Sequence, residues 1–318
     1  MLPIHLWVYN HPFPRISDQV SFAVLAFRQH GYAVSVGRRP VPTSLNVVIE
    51  GFSSSHRDIL IEFCRSFQKK VAVIMTEHMD FEHGRIFFHG SSLGSENDYL
   101  HPISAMARVT HLLECLPYIR CLFVLGDLPE LRNMSIMLPG INIRSIPFPK
   151  LDDMSNMYVE SSTGICSNLV FTGAITRYRE KLLAILEADG IPVACPKVFV
   201  SRRRRNSMNH AAKLILNIPQ REAWRWLSLM RIVAGLQMGR ATISLGTSDV
   251  SCIASCCMQL DILKEGWINE VKKCIDDWRL MYRRSIVDYS LMAKVYEQKN
   301  PFPHDVFEYW SITDRVSN

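Results

Sequence analysis

The chain has 318 residues, enough for two ordinary domains or one large one. At 48% hydrophobic and 21% charged it is not a disordered chain, and 15 Gly and 16 Pro exclude collagen-like and low-complexity classes. The net charge of +6 is concentrated: residues 197–240 hold ten Lys and Arg against one acid, Glu222, which makes that segment +9 and the remainder −3, so a basic partner site is expected there.

Residues 4–9 read as a buried strand, followed by a loop with two prolines and a helix from about 18 to 30 closed by Gly31. Residues 32–36 and 46–50 read as strands. Residues 53–70 read as a helix with Lys69 and Lys70 in its last turn. Further strands fall at 71–76, 121–125 and 141–146, with helices at 102–116 and 127–138. Apolar runs of four to six residues alternating with helices predict βαβ units and a parallel sheet covered on both faces.

A polar stretch at 152–166 reads as a linker, after which the pattern restarts. Strands are expected at 168–172, 192–194, 213–218 and 241–245. Helices are expected at 177–189, closed by Gly190, and at 224–238, closed by Gly239. The tail from 261 reads as mostly helical. The fold class is therefore α/β: two Rossmann-like domains facing each other across a cleft, residues 1–155 and 156–318, with C-terminal helices.

The start of the chain has neither a basic nor a long apolar segment of the signal-peptide kind. No apolar run reaches the roughly 18 residues of a membrane span, so a cytoplasmic location is expected. Nine cysteines lack CxxC pairing, and Cys252, Cys256 and Cys257 have no His or carboxylate at ligand spacing. They read as small buried hydrophobes of a reducing compartment.

In Leu169-Val-Phe-Thr-Gly-Ala-Ile-Thr-Arg-Tyr-Arg-Glu a strand runs into a turn, and Thr176 stands where it can cap the next helix. Gly173 permits close backbone approach, and the helix offers free N–H groups and a positive dipole end. Arg177 and Arg179 fall in its first turn, where cations are locally unfavourable, which suggests that they serve an anion. Solvated arginines on a plain strand–turn–helix are the other reading. Downstream, a strand ends in Asn217, and Ser228 and Arg231 lie three apart near a helix N-terminus. Leu229, Ile232, Val233 and Leu236 form that helix's buried stripe. A hydroxyl, an arginine and helix N–H groups at a strand end suit a ribose or diphosphate. An N-cap serine and a surface arginine are the plainer alternative.

Together, Phe171-Thr-Gly, Asp189-Gly190, the strand ending in Asn217, and Ser228-x-x-Arg231 with Gly239-Arg-Ala-Thr-Ile-Ser resemble the C-terminal half of GT-B glycosyltransferases. The resemblance covers roughly 165–250 and points to the spore-maturation-protein-like group. It implies a glycosyltransferase that moves a sugar from a nucleotide-diphosphate sugar to an acceptor hydroxyl, with no metal and no cofactor besides that donor. Gly173, Arg177, Arg179, Asn217, Ser228 and Arg231 would bind the donor. The chain departs from the family in having no Asp or Glu between Ala223 and Thr247, where many members contact the ribose or sugar. Either the ribose is held differently, or the chain is an inactive GT-B-like nucleotide-sugar-binding or partner subunit.

The first half would then contact the acceptor and supply a general base, for which His11, Glu77 and His78 stand at strand ends. The stretch from Glu77 to His83 lacks HExxH spacing and reads as a polar loop, so no metal is expected. The run Arg202, Arg203, Arg204, Arg205 reads first as a solvated loop, then as a clamp on an anionic donor, acceptor or membrane surface. A nucleic-acid partner is not expected, because aromatics are not interleaved with it. Trp224 and Trp226 are either core or a stacking platform. The acceptor is left open as a glycan, lipid, protein or small molecule, with peripheral membrane contact an option.

Overall fold

The central strands of the parallel sheets are short aliphatic runs buried at nearly every position, as sheets covered on both faces require, while the edge strands are part-exposed. The computed structural model describes residues 2–11, 13–88, 90–95, 101–127, 131, 133–154 and 164–316. The chain forms two units, residues 1–149 with 297–318, and residues 150–296.

The first unit runs β1 (Ile4–Trp7), α1 (Phe13–Gln29), β2 (Val34–Gly37), β3 (Leu45–Ile49), α2 (Ser54–Phe67) and β4 (Val71–Ile74). It continues with β5 (Met79–Glu82), β6 (Arg85–Phe88), β7 (Ser91–Ser92), α3 (Pro102–Cys115), β8 (Ile119–Leu125), α4 (Met134–Met137) and β9 (Asn142–Ile146). Its main sheet has the order β2-β1-β3-β4-β8-β9, with every pair parallel. Trp7, Val48, Leu60, Phe63, Val73 and Leu122 sit in its core.

The second unit runs β10 (Ser167–Val170), α5 (Arg177–Ala188), β11 (Val193–Ala194), α6 (Arg202–His210), β12 (Ala212–Asn217) and α7 (Leu229–Gln237). Then come β13 (Thr242–Leu245), β14 (Met258–Leu260), α8 (Trp267–Asp276) and α9 (Trp278–Lys299). Its sheet has the order β11-β10-β12-β13-β14, again all parallel. In both sheets the second strand lies outside the first and the later strands extend the other side. That order places a topological switch between β1 and β3 and between β10 and β12, where the strands' carboxyl ends open a crevice for ligands.

Several elements depart from the sequence reading. Helix α1 begins five residues early, because Pro14 sits in its first turn, where no backbone N–H is needed. The polar stretch after Glu77 is not a loop. It enters a separate antiparallel sheet, β5-β6-β7, whose first turn is His83-Gly84 with both residues at positive φ, the conformation a two-residue hairpin requires. Asp80 is engaged there, accepting from Phe81 N at 2.7 Å and Asn133 Nδ2 at 3.1 Å. The four arginines at 202–205 open helix α6, with Ser201 Oγ capping Arg204 N. Helix α7 starts at Leu229 instead of 224. Most of the linker at 152–166, and residues 128–130 and 132 of the helix expected at 127–138, lie outside the described residues.

Residues 297–318, read with the second domain, cluster with the first unit. The cause is α10 (His304–Val316), whose Phe307 is fully buried against Phe27, Phe123 and Phe302. Lys69 Nζ also meets Asp314 Oδ2 at 3.6 Å, both side chains being buried. Among the described residues no helix is long and apolar enough to cross a membrane.

Part of the basic segment is structural. Arg240 is 1% exposed, lies over the Trp278 ring, and donates to the carbonyls of Ala212 (2.5 Å), Gly239 (2.9 Å) and His210 (2.7 Å). Burial pulls its pKa down to about 10. Arg240→Met should cost about 3 kcal/mol by leaving carbonyls without a donor, read as a lower urea midpoint at unchanged slope.

Candidate functional site

At the second unit's switch, β10 leads into Phe171-Thr172-Gly173. The buried Phe171 ring lies between two guanidinium groups, Arg179 at 5.2 Å and Arg231 at 5.1 Å from its centroid. A Cβ at Gly173 would stand 2.6 Å from that ring and 2.9 Å from a terminal nitrogen of Arg231, so only glycine lets the loop backbone lie against this cation. Asn217, buried at the end of β12, accepts from Arg231 through Oδ1 and donates through Nδ2 to Ser244 Oγ at 2.7 Å. Thr247 Oγ1 donates to the same serine oxygen at 2.8 Å. Asn217 therefore orients Arg231, and Ser244 orients Asn217.

Thr176 caps α5 as its position predicts, and its hydroxyl donates to Gln220 O at 2.7 Å, tying the loop after β10 to the loop after β12. Arg179 strengthens the same tie. It is buried, its Nε donating to Ile218 O at 2.9 Å and a terminal nitrogen to Ala174 O at 2.8 Å. It braces the loops after β10 and β12, where an anion contact was expected. Arg177 is exposed on the first turn of α5, and Arg231 is half-buried on the first turn of α7. Ser228 holds the N-cap position of α7, yet its hydroxyl makes no cap bond. Trp224 and Trp226 are half-buried rather than core, with Arg225 over the Trp226 ring at 4.2 Å. Asp249, the next acid along, is buried and accepts from Leu227 N and Ser251 N at 2.8 Å each, so it holds the loop before α7 in place.

At the first unit's switch, Glu50 follows β3 and Thr76-Glu77 follow β4. Arg108 of α3 forks between the carboxylates, meeting Glu50 Oε1 at 2.7 Å and Glu77 Oε1 at 2.5 Å. Thr76 Oγ1 donates to Glu50 Oε2 at 3.0 Å. Glu50 is fully enclosed. Burial pushes its carboxyl above the ordinary range, Arg108 opposes this, and Glu77 adds to it. Burial works against the Arg108 charge too, but Glu50 and Glu77 outweigh it and hold the guanidinium above its usual pKa.

His11 lies beside this triad. Its Nε2 is 3.1 Å from Ile49 O, and a carbonyl can only accept, so Nε2 carries the proton and Nδ1 presents the lone pair of the neutral ring. Burial holds the His11 pKa below 6.5, helped by Arg108 and opposed by the Ile49 and Glu50 carbonyls and by Glu77. His56 stacks between Tyr9 (5.0 Å) and Phe52 (5.6 Å), and burial, then His11, brings its pKa to about 4. The structure thus gathers His11 and Glu77 into one cluster. His78 is also buried, at the entry to β5.

Sequence reasoning missed Glu50, Arg108 and Ser244. The first ends a fully buried strand. Arg108 shares a helical stripe with the buried residues Ala105, Val109 and Leu112, a placement that calls for a buried counter-charge.

The fold and these two clusters define a doubly wound α/β protein of two units, with a cationic switch point in one and a carboxylate–arginine–histidine cluster at the switch of the other. No protein-family model matches the chain, and no curated protein matches it. Among solved structures it is similar to AviGT4, a glycosyltransferase involved in avilamycin A biosynthesis, at 11% identity and a TM-score of 0.48, over 94% of this chain and 97% of that one. A UDP-forming α,α-trehalose-phosphate synthase from Burkholderia xenovorans aligns at 7% identity and a TM-score of 0.44, over 92% and 78%. An α1,3-fucosyltransferase aligns at 12% and 0.34, over 92% and 81%.

Proposed function

We propose that the protein is a GT-B-type glycosyltransferase, akin to the spore-maturation-protein-like group, that needs no metal. It would transfer a sugar from a nucleotide-diphosphate donor to an acceptor hydroxyl. The observation that carries this reading is Arg231, oriented by Asn217 and Ser244 and set against Gly173 at the second switch point. A guanidinium fixed beside exposed backbone suits a diphosphate, whose oxygens accept two parallel N–H bonds.

In the reaction the bond from the anomeric carbon to the diphosphate oxygen breaks, and the diphosphate keeps the electron pair. Arg231, the helix N–H groups and the exposed Arg177 would stabilise that charge. The acceptor oxygen forms the new bond and gives up its proton to a general base; within the first unit, the neutral His11 Nδ1 has the chemistry for that part. Glu77 is a weaker candidate for the base than the sequence suggests, because its carboxylate is engaged in the ion pair with Arg108. Its part, with Glu50 and Arg108, is to fix the electrostatics around His11.

A base must be unprotonated, so kcat/KM should rise with pH through a midpoint below 6.5. His11→Gln should remove that acid limb and lower the rate roughly 10²–10⁴-fold. The reading is tested by incubating the protein with UDP-, GDP- and dTDP-sugars in EDTA and measuring nucleoside diphosphate release. Slow release without acceptor is expected for one of them. Tight binding with no release or transfer would establish the inactive subunit instead.

A further inference from the structure

Helix α9 carries two apolar stripes where packing needs one. Trp278, Tyr282, Ile286 and Tyr289 are buried within the second unit. On the outer side Leu280, Val287, Leu291 and Val295 are 45%, 64%, 63% and 41% exposed. Their spacing of seven, four and four residues keeps them in one band along the helix. Arg279, Arg283, Arg284 and Lys294 are exposed around this band, with Asp288 and the part-exposed Glu297, which meets His30 Nε2 at 3.4 Å, the acids among them.

We propose that this face docks on an anionic lipid surface, the aliphatic side chains entering the headgroup–acyl boundary and the cations meeting lipid phosphates. Scattered surface leucines need no explanation, but an aligned aliphatic band edged with cations is the pattern of a helix lying in a bilayer interface. Charge argues against a second copy of the chain, since two such faces would set Arg283, Arg284 and Lys294 against like charges, with Asp288 and the His30-paired Glu297 on each to offset them. The aliphatic band offers no hydrogen-bonding group, so its counterpart is hydrocarbon, and the surrounding cations require that hydrocarbon to lie beneath negative charge. The inference stands apart from the transferase reading.

The test is co-sedimentation of the full chain with phosphatidylcholine vesicles, alone or mixed with phosphatidylglycerol. Partitioning onto the mixed vesicles only, weakened by salt, is expected. Arg283→Glu with Arg284→Glu should lower the partition coefficient about tenfold or more. Val287→Ser with Leu291→Ser should lower it comparably, with circular dichroism and Tm unchanged in both variants. No partitioning of the wild type, or partitioning unaltered in both variants, overturns the proposal. A wild-type dimer by light scattering that the Val287→Ser, Leu291→Ser variant dissociates also overturns it and assigns the face to a second copy.

Discussion

Arg231→Ala should lower kcat/KM roughly 10²–10³-fold, the loss typical of removing one fixed donor to a developing negative charge. The substitution also leaves Asn217 Oδ1 without the donor it now has, so a stability loss of about 1 kcal/mol should accompany it. Arg231→Lys separates charge from geometry. A lysine keeps the charge but not the planar fork, and it should restore stability more than rate. Ser244→Ala acts one step further back, leaving Arg231 in place but freeing Asn217 to turn, so a smaller loss of rate is expected, with a stability loss of about 1–3 kcal/mol because the buried Asn217 Nδ2 and Thr247 Oγ1 lose their acceptor. Arg177→Ala, which removes an exposed side chain, should matter least.

Arg108→Ala should have the largest effect on stability. It strips the counter-charge from the buried Glu50 and from Glu77, and breaking a buried pair in this way costs about 3–5 kcal/mol. The effect depends on pH with a definite sign. Glu50 already titrates above its unfolded value, and loss of Arg108 moves it further up. A carboxyl raised in the folded state binds more protons folded than unfolded, so stability falls as pH rises above the unfolded carboxylate range near 4.5. The variant should therefore approach wild type below that range and be weakest at neutral pH. Urea midpoints at pH 4 and pH 7 measure this directly. Glu50→Gln in the Arg108→Ala background should recover much of the loss at pH 7.

The parallel strands were legible because buried βαβ strands are short aliphatic runs bounded by polar turns. The spacing of Asn217, Ser228 and Arg231 also placed a strand end and a helix start together. What escaped was the direction in which charged side chains point. Arg179 lies two residues past Arg177, about 200° around an α-helix, and it falls on the stripe of the buried Leu182 and Leu186. If Arg177 faces solvent, Arg179 must face inward, where it meets loop carbonyls. Arg108 is the same case in the first unit. Arg240 escaped because its three carbonyl partners come together only in the folded chain. Strand β14 escaped because three residues carry no periodicity, and the β5-β6-β7 sheet because its turn residues sit among charges. The tail was misassigned for a tertiary reason: Phe307 finds its aromatic partners some 180 to 280 residues earlier in the chain.

The +9 segment is accordingly not one patch. Arg240 braces β12, the arginines at 202–205 open helix α6, and Arg231 alone stands at the switch point held by a polar relay. The most direct test of the proposed donor site is calorimetric titration of wild type and Arg231→Ala with UDP-, GDP- and dTDP-sugars in EDTA. The account predicts that one of these donors binds the wild type and binds the variant at least about tenfold more weakly, a loss of about 1.4 kcal/mol. Failure of all three to bind the wild type, or an unchanged Kd in the variant, would contradict it.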